Sequence, residues 1–155
     1  MSTPVSAILT ADRTACGVEV ASKKRALEKV SELIASAEPT LVAGEVFDCL
    51  VARERLGTTG LGHGIALPHG RLKQLERAVG AFVRLAAGVD YDAVDREPVD
   101  LLFGLLLPDG AAQDSLEILA SLAELFSDPG LRERLRASER CGELFDLITR
   151  VPDAG

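Results

Sequence analysis

Residues Val99 to Leu107 carry apolar side chains at nearly every position. Successive side chains of a strand point to opposite faces, so a continuous apolar run suits a central strand that helices cover on both sides. The run is far shorter than the ~18 residues that a membrane-spanning helix needs. Pro108-Asp109-Gly110 ends it with typical turn residues. This feature predicts an α/β protein whose sheet is built around one buried strand.

Helical patterns lie on both sides of this strand in the sequence. From Ser22 to Ala37 apolar residues recur at three- and four-residue spacing, with Ser22 as the N-cap and Pro39 beyond the end. A second helix is predicted from near Thr40 to just before Gly57. Three more helices are predicted in the last third of the chain, one from Asp114 to Phe126, one that begins at Asp128-Pro129, and one marked by Leu144, Phe145 and Ile148.

The remaining strand patterns are short and lie mainly in the middle of the chain. Strands are predicted at Ile65 to Leu67 and at Ala78 to Leu85, with an additional edge strand from Cys16 to Val20. Helices before the strands and helices after them indicate α/β layers around a small sheet. A chain of 155 residues argues for one domain, which we expect to span residues 1–155 with a core from about 5 to 150.

The charge and the cysteine content limit which functions and which cellular compartments are expected for this chain. With 17 basic and 24 acidic residues the formal charge is −7, and no basic cluster suggests a nucleic-acid partner. Three widely spaced cysteines show neither a disulfide framework nor a metal-binding pair, so we expect reduced thiols. The N-terminus lacks the basic start and long apolar stretch of a signal peptide. These observations predict a cytoplasmic protein without membrane insertion.

The stretch from Gly57 to Arg71 is the most informative for function. It holds five glycines within fourteen residues, at positions 57, 60, 62, 64 and 70. Their spacing is not that of a dinucleotide-binding loop, and a phosphate-binding Gly-Lys-Ser/Thr sequence is missing. A turn-rich connection between strands explains the glycines equally well. Both histidines of the chain, His63 and His69, lie in this stretch.

The two histidines favour nucleophilic chemistry over metal binding. Zinc requires three or four ligands, and the spacing of cysteines and acids around His63 and His69 provides no such set. A neutral imidazole, with a pKa of about 6.5, is a good nucleophile near pH 7 and can accept a phosphoryl group. Pro68 stiffens the backbone before His69, and Gly70 would let a partner protein approach closely. We expect neither a metal nor a cofactor.

Four segments of the chain carry a resemblance to a known family. Positions 53–60 read RERLGTTG and positions 66–71 read ALPHGR. Both segments resemble the enzyme IIA components of the bacterial phosphotransferase system (PTS) of the fructose/mannitol type. Positions 22–27, SKKRAL, and 92–103, DAVDREPVDLLF, are similar to the nitrogen-regulatory branch of this family. The resemblance extends over roughly residues 5–150.

The resemblance implies a fold, a reaction and partners. The family has a three-layer α/β/α fold with a small mixed sheet. Its members accept a phosphoryl group from a histidine phosphocarrier protein, which His69 would do here, while Arg53 would help to hold the group. Such a chain is a phosphotransferase component with a phosphohistidine intermediate that acts mainly as a regulator. Its phosphorylation state would control target proteins, with potassium transporters, sensor kinases and metabolic enzymes as candidates.

The chain departs from the family pattern at one position. Many relatives have a second histidine at the start of the helix after the central strand, where this chain has Ser115. Ser115 can donate one hydrogen bond to a phosphoryl oxygen, but it cannot act as a charged imidazole. We hypothesise that His63 partly compensates, because it shares the loop with His69. Two alternatives stay open: a IIA subunit that passes phosphate to a IIB domain of a sugar permease, and a binding domain of the same fold that is never phosphorylated.

Overall fold

The computed structural model describes residues 4–110 and 112–150. Six strands and five helices follow one another along these residues, together with two short 3-10 turns near the N-terminus. The strands are β1 (Thr14–Val18), β2 (Gly60–Gly62), β3 (Ile65–Ala66), β4 (His69–Leu72), β5 (Val79–Val89) and β6 (Val99–Pro108). The helices are α1 (Lys23–Ala35), α2 (Ala43–Glu54), α3 (Ala112–Phe126), α4 (Pro129–Ala137) and α5 (Cys141–Arg150).

The six strands form one mixed sheet in which β6 is central. Its order is β1-β5-β6-β3-β2, and β4 pairs with β6 beyond the end of β3. Strand β6 is antiparallel to β5 and parallel to β3 and β4. Strand β1 lies at one edge, as predicted for the segment near Cys16, and β2 lies at the other. The predicted central strand and the α/β class are therefore confirmed.

Both faces of β6 are covered by helices, which explains its continuous apolar sequence. Leu102 and Leu106 belong to the core that α1 and α2 form on one face. On the other face, side chains of β6 pack against α3, α4 and α5; they are Leu101, Phe103, Leu105 and Leu107. Gly104 allows α1 to approach the sheet closely, because a Cβ atom at this position would overlap with Val30 Cγ1.

Two of the predicted helix starts have the expected capping geometry. The Ser22 hydroxyl accepts a hydrogen bond of 3.2 Å from the backbone N–H of Arg25 at the start of α1. The Asp128 carboxylate accepts one of 2.9 Å from the N–H of Gly130, and Pro129 is the first residue of α4. These local signals agree with the structure because a cap needs only residues that are close in sequence.

The cysteines do not all have the predicted reduced form, and for two of them the prediction is wrong. Cys16 of the edge strand and Cys141 at the start of α5 form a disulfide, with their Cα atoms 5.3 Å apart. The two residues are separated by 125 positions in the sequence, so no spacing pattern could indicate this pairing. It arises because α5 packs against β1. Cys49 is free.

None of the helices in the described residues combines the length and the apolar character that crossing a membrane would require.

Candidate functional site

The sheet register determines the direction of the His69 side chain. His69 is the first residue of β4 and is paired with Leu105 of β6. Paired residues of neighbouring strands point to the same face of a sheet. Because Leu105 packs in the core under α3, α4 and α5, the half-buried imidazole points toward that layer of helices.

One hydrogen bond defines which ring nitrogen of His69 is available. Nδ1 lies 2.8 Å from the carbonyl oxygen of Leu67. A carbonyl oxygen can only accept, so the proton of the neutral ring resides on Nδ1. Nε2 then carries the free lone pair. The imidazole is thus held in the tautomer that presents Nε2 as a nucleophile.

Burial and nearby charges keep this imidazole neutral. Burial is the largest effect and lowers the pKa of His69 below its ordinary value. The hydrogen bond to Leu67 raises this pKa, Arg53 lowers it, Glu54 raises it and Arg71 lowers it. These effects place two guanidinium groups and one carboxylate within electrostatic reach of the ring. Their net effect favours an uncharged nucleophile near neutral pH.

Arg53 lies in the last turn of α2, beside the segment that leads to β2. Its Nη1 donates a hydrogen bond of 2.8 Å to the carbonyl oxygen of Gly57. This bond uses one of five donors in the guanidinium fork, so others remain for an anion. Helix α2, which carries Arg53, packs against β4, which carries His69, and the Arg53 charge lowers the pKa of His69.

Gly70 is the reason that α2 can lie so close to β4. A Cβ atom at Gly70 would lie 3.0 Å from Cys49 Cβ and 3.2 Å from the Cys49 carbonyl oxygen, which is tighter than ordinary packing. Gly70 is buried and faces α2, rather than offering an approach to another protein as we had expected. The glycine after the histidine therefore serves the approach of the helix that carries Arg53.

Two charged residues that act on His69 are not among the site residues predicted from the sequence, although Arg71 was considered for a basic patch with Arg53. Arg71 follows His69 by two positions and pairs with Leu107, so it shares the face of His69 and is exposed. Glu54 follows Arg53 in the chain, but its side chain is only 5% exposed. The alternation along a strand could have indicated Arg71, whereas nothing in the local sequence indicates that Glu54 is buried.

Ser115 lies in the first turn of α3, the layer toward which His69 points. It is 1% exposed, and its Oγ has no hydrogen-bond partner among the described residues. Buried hydroxyl groups normally have a hydrogen-bond partner, so the Ser115 hydroxyl is an exception within the described part of the chain. Ser115 therefore belongs to the layer of helices toward which His69 points.

His63 lies elsewhere, in the turn between β2 and β3. Its N–H donates to Asp95 and its carbonyl oxygen accepts from Arg136 Nη2 at 2.6 Å. The next carbonyl, that of Gly64, is bonded to Leu101 at the start of β6, whereas His69 pairs with Leu105. Four residues along a strand correspond to about 13 Å. The two histidines are therefore not brought together, and the hypothesis that His63 compensates finds no support in this placement.

The fold has close counterparts among known proteins. Residues 7–151 match the family model of the phosphoenolpyruvate-dependent sugar phosphotransferase system, EIIA 2. The chain belongs to this family. It is 42% identical to the nitrogen regulatory protein of Pseudomonas aeruginosa over 93% of this chain and 94% of that protein.

Two solved structures of EIIA proteins are similar to this chain. The crystal structure of nitrogen regulatory protein IIA-Ntr from Neisseria meningitidis has a TM-score of 0.88 and 41% identity, and the match covers 94% of this chain and 99% of that one. IIA mannitol from Escherichia coli has a TM-score of 0.73 and 24% identity, over 90% of this chain and 98% of that one. The second match shows a shared fold, and the three-layer arrangement expected from the sequence is confirmed.

Proposed function

We propose that this EIIA protein is a regulatory phosphocarrier of the nitrogen-related phosphotransferase system. It accepts a phosphoryl group from a histidine phosphocarrier protein on Nε2 of His69. The observation that carries the proposal is the hydrogen bond between Nδ1 and Leu67, which leaves Nε2 as the nucleophilic atom of a half-buried ring. The regulatory role is supported by the similarity, over nearly the whole length of both chains, to proteins named nitrogen regulatory protein.

The transfer needs little more than positioning. Nε2 of His69 attacks phosphorus, the phosphorus–nitrogen bond of the donor phosphohistidine breaks, and the donor ring retains the electron pair of that bond. Each ring keeps the proton on its other nitrogen, so no separate base is required. The neutral state of His69, which burial favours by lowering its pKa, is the reactive state.

Three side chains are proposed to receive the phosphoryl oxygens. Arg53 and Arg71 supply positive charge that acts on the ring, and a guanidinium fork suits phosphate oxygens. Ser115 supplies a hydroxyl that has no other partner among the described residues. Because Ser115 carries no charge, Arg53 and Arg71 provide the main electrostatic stabilisation in this chain.

Regulation then follows from the charge added to the site. A phosphoryl group brings negative charge and acceptor oxygens to the surface around His69, which makes some contacts and breaks others. Target proteins in the cytoplasm, with potassium transporters, sensor kinases or metabolic enzymes as candidates, would distinguish the two forms. These targets follow from the family resemblance.

The test is phosphorylation by the upstream proteins. The protein is incubated with phosphoenolpyruvate, enzyme I and the histidine phosphocarrier protein, and its intact mass is measured before and after mild acid. We expect one acid-labile phosphoryl group on the wild type and none on His69→Ala. His63→Asn is the matched control, since it removes the other histidine at a position with a φ of 57°, which asparagine tolerates. It should be phosphorylated like the wild type.

Other outcomes would redirect the proposal. If an active upstream system phosphorylates a control acceptor but not this protein, the chain is a phosphorylation-independent binding domain. If the phosphorylated protein passes its group rapidly to a fructose- or mannitol-type IIB domain, it is a transport subunit. A phosphorylated His69→Ala variant would show that another residue is the acceptor.

A further inference from the structure

A buried carboxylate lies next to Arg53 and has a dense set of donors. Both oxygens of Glu54 accept from the backbone N–H of Thr59, at 2.9 and 3.1 Å, and the Thr59 hydroxyl also donates to it. The Tyr91 hydroxyl donates at 3.1 Å, and Lys23 Nζ lies at 3.2 Å. A carboxylate that is 95% shielded from solvent persists only where donors and an opposite charge satisfy it. Glu54 meets both conditions.

A series of hydrogen bonds leads from this carboxylate to the nucleophile. Glu54 holds the N–H of Thr59, and the carbonyl oxygen of Thr59 accepts from the N–H of Leu67 at 3.1 Å. The carbonyl oxygen of Leu67 in turn accepts from Nδ1 of His69. Thr59 and Leu67 thus each use both their backbone N–H and their carbonyl oxygen in this series. The position of the Leu67 carbonyl, which selects the tautomer of His69, depends on where Glu54 holds Thr59.

The Glu54 carboxylate also binds the segment to which Arg53 donates a hydrogen bond. Arg53 donates to the carbonyl of Gly57, and Glu54 binds Thr59 two residues later. Two neighbouring side chains at the end of α2 therefore hold the segment that leads to β2 by hydrogen bonds. Lys23, the first residue of α1, forms an ion pair with Glu54, and its Nζ lies 4.4 Å from the centre of the Tyr91 ring.

We propose that Glu54 is a positioning residue for the phosphoryl acceptor. It holds Thr59 and Leu67 so that His69 keeps its proton on Nδ1, and its negative charge opposes the two arginines that would bind the phosphoryl group. This inference rests on the proposed function of His69. It assigns a role in the site to a side chain that need not touch the phosphoryl group.

The electrostatic part of this role has a physical reason. Arg53 and Arg71 suit an incoming anion, but both lower the pKa of His69, as burial does. A less basic nitrogen is a weaker nucleophile. Glu54 raises the pKa of His69 and so preserves the basicity of Nε2. Among the described residues, Arg53, Arg71 and Glu54 are the charged groups that shift the pKa of His69, and Lys23 contacts Glu54.

The decisive variant is Glu54→Gln, which keeps the shape of the side chain and removes its charge. Nitrogen-15 NMR of the unphosphorylated protein reports the tautomer and the pKa of His69, with His63 as an internal reference. We expect the pKa of His69 to fall and the population with its proton on Nε2 to grow. The maximal rate of phosphoryl acceptance should fall about tenfold, which corresponds to about 1.4 kcal/mol. The KM for the phosphocarrier protein should not change, because Glu54 is buried.

Glu45→Gln is the matched control for the loss of one carboxylate. Glu45 lies in the first turn of the same helix α2 and is exposed. This variant should show the wild-type tautomer and rate. If Glu45→Gln changes the His69 signals as much as Glu54→Gln does, the effect comes from the net charge of the protein and the proposal is overturned.

Lys23→Met distinguishes the effect of the Glu54 charge from a general weakening of the contacts around Glu54. It also provides a test if Glu54→Gln does not fold. It removes the cation but leaves the carboxylate with the Thr59 and Tyr91 donors. We expect the Nδ1–H tautomer to persist and the pKa of His69 not to fall. If both variants lower this pKa alike, or if Glu54→Gln leaves tautomer and pKa unchanged, Glu54 has only a structural role. Because these NMR readouts need no phosphorylation, failure of the proposed function itself would appear separately, as an unphosphorylated wild type.

Discussion

Reduction of the disulfide between Cys16 and Cys141 should destabilise this protein strongly. The bond closes a loop that spans 125 positions in a chain of 155 residues. In the chain-entropy treatment, opening a loop of this length gives the unfolded state about 5 kcal/mol of additional freedom at 25 °C. That is a large part of the 5–15 kcal/mol by which native domains are usually stable.

Urea unfolding with and without dithiothreitol measures the effect. With a slope of about 2 kcal/mol per molar urea, a loss of about 5 kcal/mol lowers the midpoint by roughly 2.5 M. The double variant Cys16→Ser/Cys141→Ser is the control, since it should unfold near the midpoint of the reduced wild type and ignore the reductant. Thiol titration in denaturant, before any reduction, should find Cys49 alone.

Two results would refute this reasoning. Three reactive thiols in the protein purified without reductant would show that the bond does not form. A midpoint that reductant leaves unchanged in the wild type, with one thiol titrated, would show that the link between β1 and α5 contributes little to stability.

Three further predictions concern the packing and the site. Gly104→Ala forces a Cβ atom onto Val30 and should lower the free energy of unfolding by about 1–3 kcal/mol, as measured by urea titration, whereas an unchanged midpoint would contradict the close approach of α1. Gly70→Ala should push α2 away from β4 and slow the phosphorylation of His69 even at temperatures well below the Tm of the variant. A wild-type rate would contradict this expectation. Burial lowers the pKa of His69 below 6.5, so the folded protein binds this proton less readily than the unfolded chain. The midpoint of the decline in phosphoryl acceptance should therefore lie below pH 6.5, and the contribution of His69 to stability is lost as the pH falls through the same range; a midpoint above pH 6.5 would contradict this reasoning.

The elements that sequence reasoning predicted are those with local causes. Strand β6 was recognisable because a strand covered on both faces needs apolar residues at both alternations. Helices α1 and α4 were recognisable from periodicity and from caps made by Ser22 and Asp128. Two short strands, β2 and β4, were missed because three or four residues in a glycine-rich stretch have no periodicity to detect.

The residues of the candidate site also fall into those that local motifs predict and those that only the tertiary structure reveals. His69 and Arg53 were predicted from motifs, and the structure adds that Gly70 lets α2, which carries Arg53, lie against β4. Glu54 was present in a recognised motif without a role, because its burial depends on Lys23 and Tyr91, which come from distant parts of the chain. A shared loop led us to link His63 with His69, yet an extended backbone carries residues that are six positions apart to separate places.

The sequence by itself determined the class of the fold and its central strand, and it indicated His69 as the nucleophile that we propose. These depend on side-chain periodicity and on short motifs, which act over a few residues. Only the tertiary structure decided which nitrogen of His69 is free, which charges act on it, and that Cys16 meets Cys141. Each of these is a contact between elements far apart in the chain, and such contacts exist only once α2, β4 and α5 have packed on the sheet.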